Sequence, residues 1–435
     1  MHLLQQWFIA GILLLGFLLP LKGLDLPTRK IADDSSLRIS LKDAWFTEAP
    51  AKVLAQKAFI HTLSNGGQIQ VRTEAGKDEF MIILARERNG SYPGWAQGSW
   101  ILTRRQDDGS TNRIRLFLRS DPYTYIQFRP FAGDRCVMDV VLYDAYIIYS
   151  MPLPIPFERL LVIPVEEVLN MAGSKFPRRY FDPDPEMYRD LRTFMGLVRA
   201  RLPELTFRDD GAIDDEGRYV YINTLEMQEG RGGLNCSGFA KWVVDGILRP
   251  FTGKRLPITP LKEPFGERGS SFTNPYEKLR DPFFGLDWTR NLASVVSTTF
   301  RAPGLGQLAE LEVQQWPFAS TIVRTKQGSS FRSYPGFLLN AGFSFEGLQP
   351  LLYTLAIDEP GYIYLASVNN ETGRAPRLRQ HFHVAVLVPY FNEYGNFQVT
   401  VFESAEETAF NQFKNRYPGH FVNLVRIPVE TVFNP

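Results

Sequence analysis

The sequence has very few of the residues that carry nucleophilic or metal chemistry. It is 435 residues long but contains only two cysteines and five histidines. This scarcity excludes a disulfide-dense scaffold and a cysteine-rich zinc module. The 48 lysine and arginine residues nearly balance the 47 aspartate and glutamate residues, so the net charge is +1. Because nucleic-acid binding needs a basic footprint, we predict no nucleic-acid partner.

Long apolar runs are also absent after residue 24, so the sequence predicts no integral membrane span in the mature chain. The apolar run from Trp7 to Leu19 is shorter than the about 20 residues of a spanning helix and is typical of a signal-peptide core. Gly23 is a small residue at a possible cleavage position. We therefore predict that residues 1–23 are a signal peptide and that the protein is exported to the periplasm or cell envelope. A retained N-terminal anchor is the alternative.

The distribution of strand-like and turn residues predicts an N-terminal β domain. Hydrophobic residues make up 44% of the chain and charged residues 22%, as in an ordinary globular protein. Eight strand-like runs follow one another: AFIHTL, QIQVRT, EFMIILARE, SWILTRRQ, RIRLFLRS, TYIQFRP, CVMDVVLY and AYIIYSM. The turn Ser64-Asn65-Gly66-Gly67 is a strong hairpin signal. Short strands at this spacing predict an all-β domain, a sandwich or a barrel, over residues 24–180.

A second domain, residues 181–435, is predicted behind two proline-rich breaks. The breaks are Met151–Phe157 and Asp182–Pro185. Apolar residues at helical spacing follow the second break, and Asp184 and Pro185 suit the N-cap and the first position of that helix. We place the domain boundary near residue 180.

Cys236 lies where a glycine-rich segment meets an amphipathic helix. Gly230–Gly233 precede it, and Asn235 can cap the helix. The apolar residues Phe239, Trp242, Val243 and Ile247 share one face of the helix, which Pro250 is predicted to end. At a helix N-terminus the dipole and the free N–H groups favour a thiolate and can hold an oxyanion. Cys236 is therefore the candidate nucleophile.

Two strands downstream of Cys236 offer a base and a group to orient it, as a cysteine nucleophile requires. His383 lies on one strand, and Glu403 lies on the apolar face of the next. A hairpin centred near Glu393 would place the two directly opposite, with Cβ atoms roughly 4.5–5.5 Å apart. Strict alternation puts His381 on the same face as a competing base. Two histidines could also indicate a metal, but no third ligand has a suitable spacing.

These segments resemble the NlpC-type cell-wall cysteine peptidases, a papain-like family. Gly232-Gly233-Leu234-Asn235-Cys236-Ser237-Gly238-Phe239 is similar to the family's nucleophile motif, with Asn235 where the family usually has aspartate. His383-Val384-Ala385-Val386 is similar to its catalytic histidine strand, and Glu403 falls near the third polar position, which is usually histidine, asparagine or glutamine. Tyr221, or alternatively Tyr219, would correspond to the tyrosine whose hydroxyl faces the family's site.

The resemblance implies a papain-like α+β domain and a cysteine hydrolase that cleaves amide bonds through a thioester. Cys236 would be the nucleophile, His383 the base and Glu403 its orienting partner. Tyr221 and Ser237 would support the substrate or the oxyanion. The implied partner is a peptide substrate, such as a peptidoglycan stem peptide, and no cofactor or metal is implied.

The segment between Cys236 and His383 is much longer than a compact domain of that family needs. We predict a large insertion at about residues 250–345 that forms a lid or one wall of the substrate cleft. Asp287, Trp288 and Arg290 within it are candidates for substrate binding or for a structural role.

Other interpretations of the same residues stay open. The cysteine–histidine site could belong to an acyltransferase, or the protein could be an inactive wall-binding envelope protein. Cys136 and Cys236 could form a disulfide; otherwise Cys136 is a small buried hydrophobic residue. His61 and His420 are predicted to be structural or surface residues, and the sequence does not predict the oligomeric state.

Overall fold

The computed structural model shows a mixed α+β fold built on two large antiparallel sheets. It describes residues 25–132, 135–266, 281–300, 308–325, 328–332, 336–371 and 379–435. The predicted signal peptide lies outside these residues. In the part of the chain that the structure describes, no helix has the length and apolar character needed to cross a bilayer.

The first sheet forms from the strand-like runs of the N-terminal half. Two short helices, α1 (Ser35–Leu41) and α2 (Pro50–Leu54), precede it, joined by the π-helical stretch Lys42–Thr47. Its first eight strands are β1 (Phe59–Thr62), β2 (Gln68–Ala75), β3 (Glu79–Arg86), β4 (Trp100–Arg105), β5 (Thr111–Leu116), β6 (Thr124–Phe131), β7 (Arg135–Leu142) and β8 (Ala145–Leu153). Each pairs antiparallel with the next. All eight predicted strands and the predicted first hairpin are confirmed.

A hairpin from a distant part of the sequence completes this sheet. Strand β11 (Ser320–Thr325) pairs with β8, and β12 (Gly328–Arg332) pairs with β11. The described strands form one ten-stranded sheet in linear order and not the two stacked sheets of a sandwich. Short turns make each strand pair with its neighbour in sequence, so the sheet grows as a meander.

The second sheet carries most of the chemistry. Its strands, in spatial order, are β13 (Phe343–Ser344), β18 (Phe421–Pro428), β14 (Tyr362–Glu371), β15 (Arg379–Phe391), β16 (Phe397–Glu403) and β17 (Glu406–Ala409). The other helices are α3 (Val165–Ala172), α4 (Arg189–Arg201), α5 (Cys236–Thr252), α6 (Phe284–Phe300), α7 (Leu308–Leu311), α8 (Leu348–Asp358) and α9 (Phe410–Arg416). A small hairpin, β9 (Gly211–Ile213) with β10 (Tyr219–Tyr221), packs on α5.

Helix α4 follows the predicted break in the chain. The Asp184 carboxylate accepts the Glu186 N–H at 3.0 Å, and Pro185 begins a short 3-10 turn that leads into α4. The predicted N-cap is therefore confirmed. A free carboxylate at this position satisfies one of the N–H groups that a helix start leaves without a partner.

Helix α5 is buried from Ser237 to Leu248. Its two charged residues in this stretch, Lys241 and Asp245, pair at 2.6 Å, and the Lys241 ammonium also donates to the Ile213 carbonyl. Burying this ion pair is tolerable because each partner has further hydrogen bonds. The helix is thus enclosed on all sides, which fixes the position of its first residue, Cys236.

The end of α5 differs from the prediction. The helix continues through Pro250 to Thr252, and Gly253 caps it with a left-handed φ of 71°. Pro250 has no N–H to offer the carbonyl of Gly246 four residues earlier. The Asn434 N–H donates to that carbonyl instead, at 2.8 Å. The proline is tolerated because the C-terminal segment replaces its missing hydrogen bond.

The described part of the predicted insertion is integrated into both sheets. Helix α6 packs against β14, β15 and β18 and beside α5, whereas β11 and β12 extend the first sheet. One continuous hydrophobic core runs from Leu37 to Phe433 and includes residues from both predicted domains. The insertion is therefore a structural link between the sheets in addition to any role at the cleft.

Candidate active site

The segment before Cys236 is held by close backbone packing. The Gln228 side chain accepts the Gly233 N–H at 2.8 Å and donates to the Gly233 carbonyl at 3.1 Å. A Cβ added to Gly232 would overlap the ring of Tyr219. A Cβ added to Gly238 would overlap the Gly211 carbonyl oxygen of β9. The glycines of the motif are therefore needed for packing and not only for flexibility.

The first turn of α5 leaves backbone donors free at the cysteine. Cys236 is the first residue of the helix, and the Asn235 side chain accepts the Gly238 N–H at 2.8 Å. The N–H groups of Cys236 and Ser237 have no acceptor within the helix, because they belong to its first turn. N–H groups without a helical acceptor beside a nucleophile can serve as oxyanion donors.

Three groups lie near enough to the half-buried Cys236 sulfur to lower the pKa of its thiol: the His383 side chain, the Val384 backbone N–H and the Ser237 hydroxyl. Burial raises the pKa of the Cys236 thiol, but the hydrogen bond and positive charge of His383 outweigh it and lower this pKa below its ordinary value. Strand β16 ends at Glu403, so the edge of β15 near Val384 is available to Cys236. The site therefore favours a thiolate.

His383 is held between Cys236 and Glu403. Its Nε2–H donates to the Glu403 carboxylate at 2.6 Å, which leaves Nδ1 for the cysteine. Burial lowers the pKa of His383, but hydrogen bonds to Cys236 and Glu403 and their negative charges raise it to about 9. Both shifts favour a thiolate–imidazolium pair backed by a carboxylate.

Glu403 is only 5% exposed and receives donors on both oxygens. The Thr408 hydroxyl donates to Oε1 at 2.6 Å, and the Arg416 guanidinium donates to the same oxygen. Burial raises the pKa of Glu403, but hydrogen bonds from His383, Thr408 and Arg416 lower it to about 2. The carboxylate stays ionised and fixes the orientation of the His383 ring.

The predicted register between His383 and Glu403 was wrong by two residues. Strands β15 and β16 pair Val386 with Phe402, so Glu403 continues the register beside Ala385. The predicted hairpin centre was one residue too early, which moves every partner by two. A two-residue shift keeps side chains on the same face, and diagonal neighbours remain within reach of long side chains. His383 and Glu403 therefore make their hydrogen bond as diagonal neighbours on the two strands.

A β-bulge removes His381 from the site. Strand β14 pairs Val368 with His383 but Asn369 with His381, so Phe382 is an extra residue on β15. The bulge breaks the strict alternation from which a shared face was predicted. His381 and His383 therefore point to opposite faces of the sheet.

His381 instead belongs to the buried core. Its Nε2–H donates to the Asn340 carbonyl at 3.0 Å, and its Nδ1 accepts from the Ser367 hydroxyl at 2.8 Å. Because both ring nitrogens are engaged on the opposite face of the sheet, His381 is not the base for Cys236.

Ser237 and Tyr221 are the two residues predicted to support the substrate or the oxyanion. The Ser237 hydroxyl helps to lower the pKa of the neighbouring Cys236 thiol, and the Ser237 carbonyl accepts the Trp288 indole N–H at 2.9 Å. Tyr221 is half-buried on β10, paired with Gly211 of β9. Its support of the substrate or the oxyanion stays a prediction.

The three insertion residues singled out from sequence are all buried. Asp287 is 1% exposed, and Trp288 and Arg290 are fully buried. Arg290 pairs with Glu312 at 2.5 Å. These side chains support the nucleophile's helix and the core and do not line the cleft surface.

The two cysteines are free thiols and do not form the alternative disulfide. Cys136 is fully buried on β7, and burial raises its pKa to about 11. The contrast with Cys236 is chemical: one thiol lies among apolar neighbours, and the other lies beside a histidine.

Three residues of the site were not singled out from the sequence: Thr408, Arg416 and Tyr417. The Tyr417 ring packs on His383 with centroids 6.0 Å apart. These residues follow β16 at no motif-like spacing. The sequence indicates only that a buried Glu403 carboxylate needs further hydrogen-bond donors. It does not indicate which residues supply them.

Comparison with known proteins assigns no activity to this chain. Residues 27–180 match a family described as a domain of unknown function, DUF8515. No curated protein and no solved structure matches the chain. The family match covers the strands β1–β8 of the first sheet and lies outside the segments that carry Cys236, His383 and Glu403, so function must be argued from the site itself.

Proposed function

We propose that this protein is an exported cysteine hydrolase that cleaves amide bonds with Cys236, His383 and Glu403. One observation carries the proposal: Cys236, His383 and Glu403 form a chain in which His383 lies beside the sulfur and is bonded to the Glu403 carboxylate at 2.6 Å. Such a chain supplies a thiolate near neutral pH and a proton for the leaving group. A cysteine with only a packing role needs no such partners, as Cys136 illustrates.

The first half of the reaction forms a thioester. The Cys236 thiolate adds to the amide carbonyl carbon, and the electron pair of the carbonyl moves to oxygen. The N–H groups of Cys236 and Ser237 stabilise that oxyanion. As the tetrahedral intermediate collapses, the C–N bond breaks, and the His383 imidazolium gives its proton to the leaving nitrogen.

The second half regenerates the enzyme. Neutral His383 removes a proton from water, and the resulting hydroxide adds to the thioester carbonyl. Collapse of this intermediate breaks the C–S bond, releases the acid and restores the thiolate–imidazolium pair. Glu403 keeps the His383 ring oriented in both halves and compensates its charge.

The substrate class and location rest on the sequence resemblance. The similarity to NlpC-type peptidases supports a peptide bond in peptidoglycan stem peptides as the substrate. A helix that begins at Cys236 and packs against an antiparallel sheet bearing His383 and Glu403 is the arrangement expected of a papain-like domain. The apolar run Trp7–Leu19 supports export to the periplasm or cell envelope.

Peptidoglycan and isolated stem peptides, analysed by mass spectrometry for new amine and acid termini, test this proposal. We expect cleavage by the wild type, none by Cys236→Ala, and retained cleavage by Cys136→Ala, which removes the other thiol. Cleavage that survives Cys236→Ala would overturn the assignment. Transfer of the acyl group to an added amine in preference to water would replace hydrolysis by acyl transfer, and no turnover on any peptide amide would favour an inactive envelope protein.

A further inference from the structure

Aromatic rings continue outward from the catalytic histidine to the surface. We use the name aromatic shelf for Phe382, Tyr417 and His420. The Tyr417 ring lies 6.0 Å from the His383 ring, Phe382 lies 5.7 Å from Tyr417, and His420 lies 5.6 Å from Phe382. The three shelf rings contact one another, since Tyr417 and His420 are also 5.7 Å apart.

The β-bulge that removes His381 from the site also builds this shelf. Phe382 is the extra residue of the bulge, and bulges commonly redirect a side chain beside a functional site. Its ring is 39% exposed although it lies next to the catalytic histidine in the chain. An exposed phenylalanine held in an aromatic cluster beside a reactive centre presents an apolar face to whatever binds there.

The shelf is fixed in place from behind and from its outer end. Buried Phe413 packs on Tyr417 with centroids 5.5 Å apart, and the Arg416 guanidinium lies 5.5 Å from the Tyr417 centroid. His420 Nδ1–H donates to the Pro418 carbonyl at 3.1 Å. Because these rings are already ordered, a ligand that packs on them loses little additional side-chain entropy to the protein.

The position of Tyr417 relates the shelf to the reacting atoms. Burial raises the pKa of Tyr417, the nearby Arg416 opposes this, and the negative charges of Glu403 and Cys236 raise it further. Its phenol is therefore within electrostatic reach of the nucleophile as well as of the histidine's partner. His383 delivers its proton to the leaving nitrogen, so a surface that starts at its ring lies on the leaving-amine side of the scissile bond.

We propose that the aromatic shelf is a substrate subsite that binds a bulky apolar group carried by the leaving amine. The inference rests on the proposed hydrolase function but not on the stem-peptide substrate: it favours other peptide amides, those that carry such a group beside the scissile bond. Apolar contact over one ring and edge-to-face packing are sufficient for about a tenfold preference over a small amine.

Two cysteine-directed reagents test the subsite without a known substrate. Iodoacetamide and N-benzyl-iodoacetamide each form a C–S bond at Cys236 and release iodide, but only the second carries an apolar ring on the amide nitrogen. The rate constants at Cys236, followed by mass spectrometry, are each divided by those for glutathione at the same pH. We expect a normalised preference of about tenfold for the benzyl reagent in the wild type.

Substitutions separate the shelf from general effects. Phe382→Ala should remove most of the benzyl preference, measured as the ratio of the two normalised rates in the same variant, and Phe382→Leu should give an intermediate preference. Phe131→Ala, which removes a 52% exposed phenylalanine on the first sheet, is the matched control and should retain it. No preference in the wild type, or a preference unchanged in Phe382→Ala, would overturn the inference. A Cys236 that reacts with iodoacetamide only as an ordinary thiol would instead overturn the proposed hydrolase function.

Discussion

Glu403 differs from a neutral orienting residue because it brings a charge to the site. An ionised carboxylate 2.6 Å from His383 stabilises the imidazolium, which in turn stabilises the Cys236 thiolate. Arg416 and Thr408 hold that charge on Glu403, whose pKa falls to about 2. The thiolate–imidazolium pair is therefore favoured at pH values above the lowered pKa of Cys236 and below the pKa of His383, which is about 9.

Glu403→Gln should narrow this pH range from its alkaline side. An amide supplies no negative charge, so the pKa of His383 should fall from about 9 towards its ordinary value, and the thiolate should lose its counter-ion at a lower pH. We expect hydrolysis to fall roughly tenfold to a hundredfold. The alkaline limb of the hydrolysis rate plotted against pH measures the shift, because hydrolysis needs the His383 proton for the leaving nitrogen.

Glu407→Gln is the matched control for this change. Glu407 lies on the neighbouring strand β17 and forms a salt bridge with Arg199 at 2.6 Å without touching His383. Its substitution should leave the pH profile of hydrolysis unchanged. An unshifted alkaline limb in Glu403→Gln would show that the carboxylate does not set the histidine's charge.

At the scale of elements, the contact between α5 and β9 determines where the nucleophile lies. Gly238→Ala should destabilise the protein because the new Cβ would overlap the Gly211 carbonyl oxygen, a backbone atom that cannot move alone. We expect a loss of about 1–3 kcal/mol in the free energy of unfolding. Urea denaturation measures this loss, and Cys236 alkylation reports whether the first turn of α5 has also moved.

Gly196→Ala should change the free energy of unfolding in the opposite direction to Gly238→Ala. Gly196 lies in the exposed part of α4, and a Cβ there would meet nothing within 4 Å. Alanine should therefore stabilise the helix by about 0.5–1 kcal/mol. Equal effects of the two substitutions would mean that helix propensity, and not the close approach to β9, decides the outcome at Gly238.

Local sequence patterns predicted most elements but not the exceptions within them. Alternating residues and turn signals located β1–β8, and helical spacing with Asn235 located the start of α5. The bulge at Phe382 could not be predicted, because a strand with one extra residue has the same local composition as a regular strand. The prediction that Pro250 ends α5 was wrong because the N–H that replaces its missing hydrogen bond belongs to Asn434, which is far away in sequence.

The site was predictable to the extent that its residues lie in motifs. Cys236 and His383 follow patterns, and Glu403 stood out as a charged residue in an apolar register. Thr408, Arg416 and Tyr417 contribute through the path of the chain after β16, which no local pattern specifies. The register error of two residues did not separate His383 from Glu403, because side chains alternate with a period of two.

At the scale of the whole molecule, the two predicted domains share one core. The Tyr353 hydroxyl of α8 donates to the Tyr180 carbonyl at 2.5 Å, Tyr143 packs on Tyr353, and buried Arg119 donates to the Gly395 carbonyl. The hairpin β11–β12 adds residues from the second segment to the first sheet. Interactions of this kind make independent folding of either part costly, since each would expose a buried face.

We therefore expect the protein to unfold as one cooperative unit, and its two cysteines can report on the two parts. Cys136 is buried in the first sheet and should be alkylated only when that sheet opens, whereas Cys236 should lose its fast low-pH alkylation when its contact with His383 breaks. In a urea titration at pH 7, both changes should share one midpoint, because apolar surface common to the two parts is exposed in the same step. Separate midpoints would mean that the shared core does not couple the parts, and the boundary near residue 180 would then divide two independently stable units.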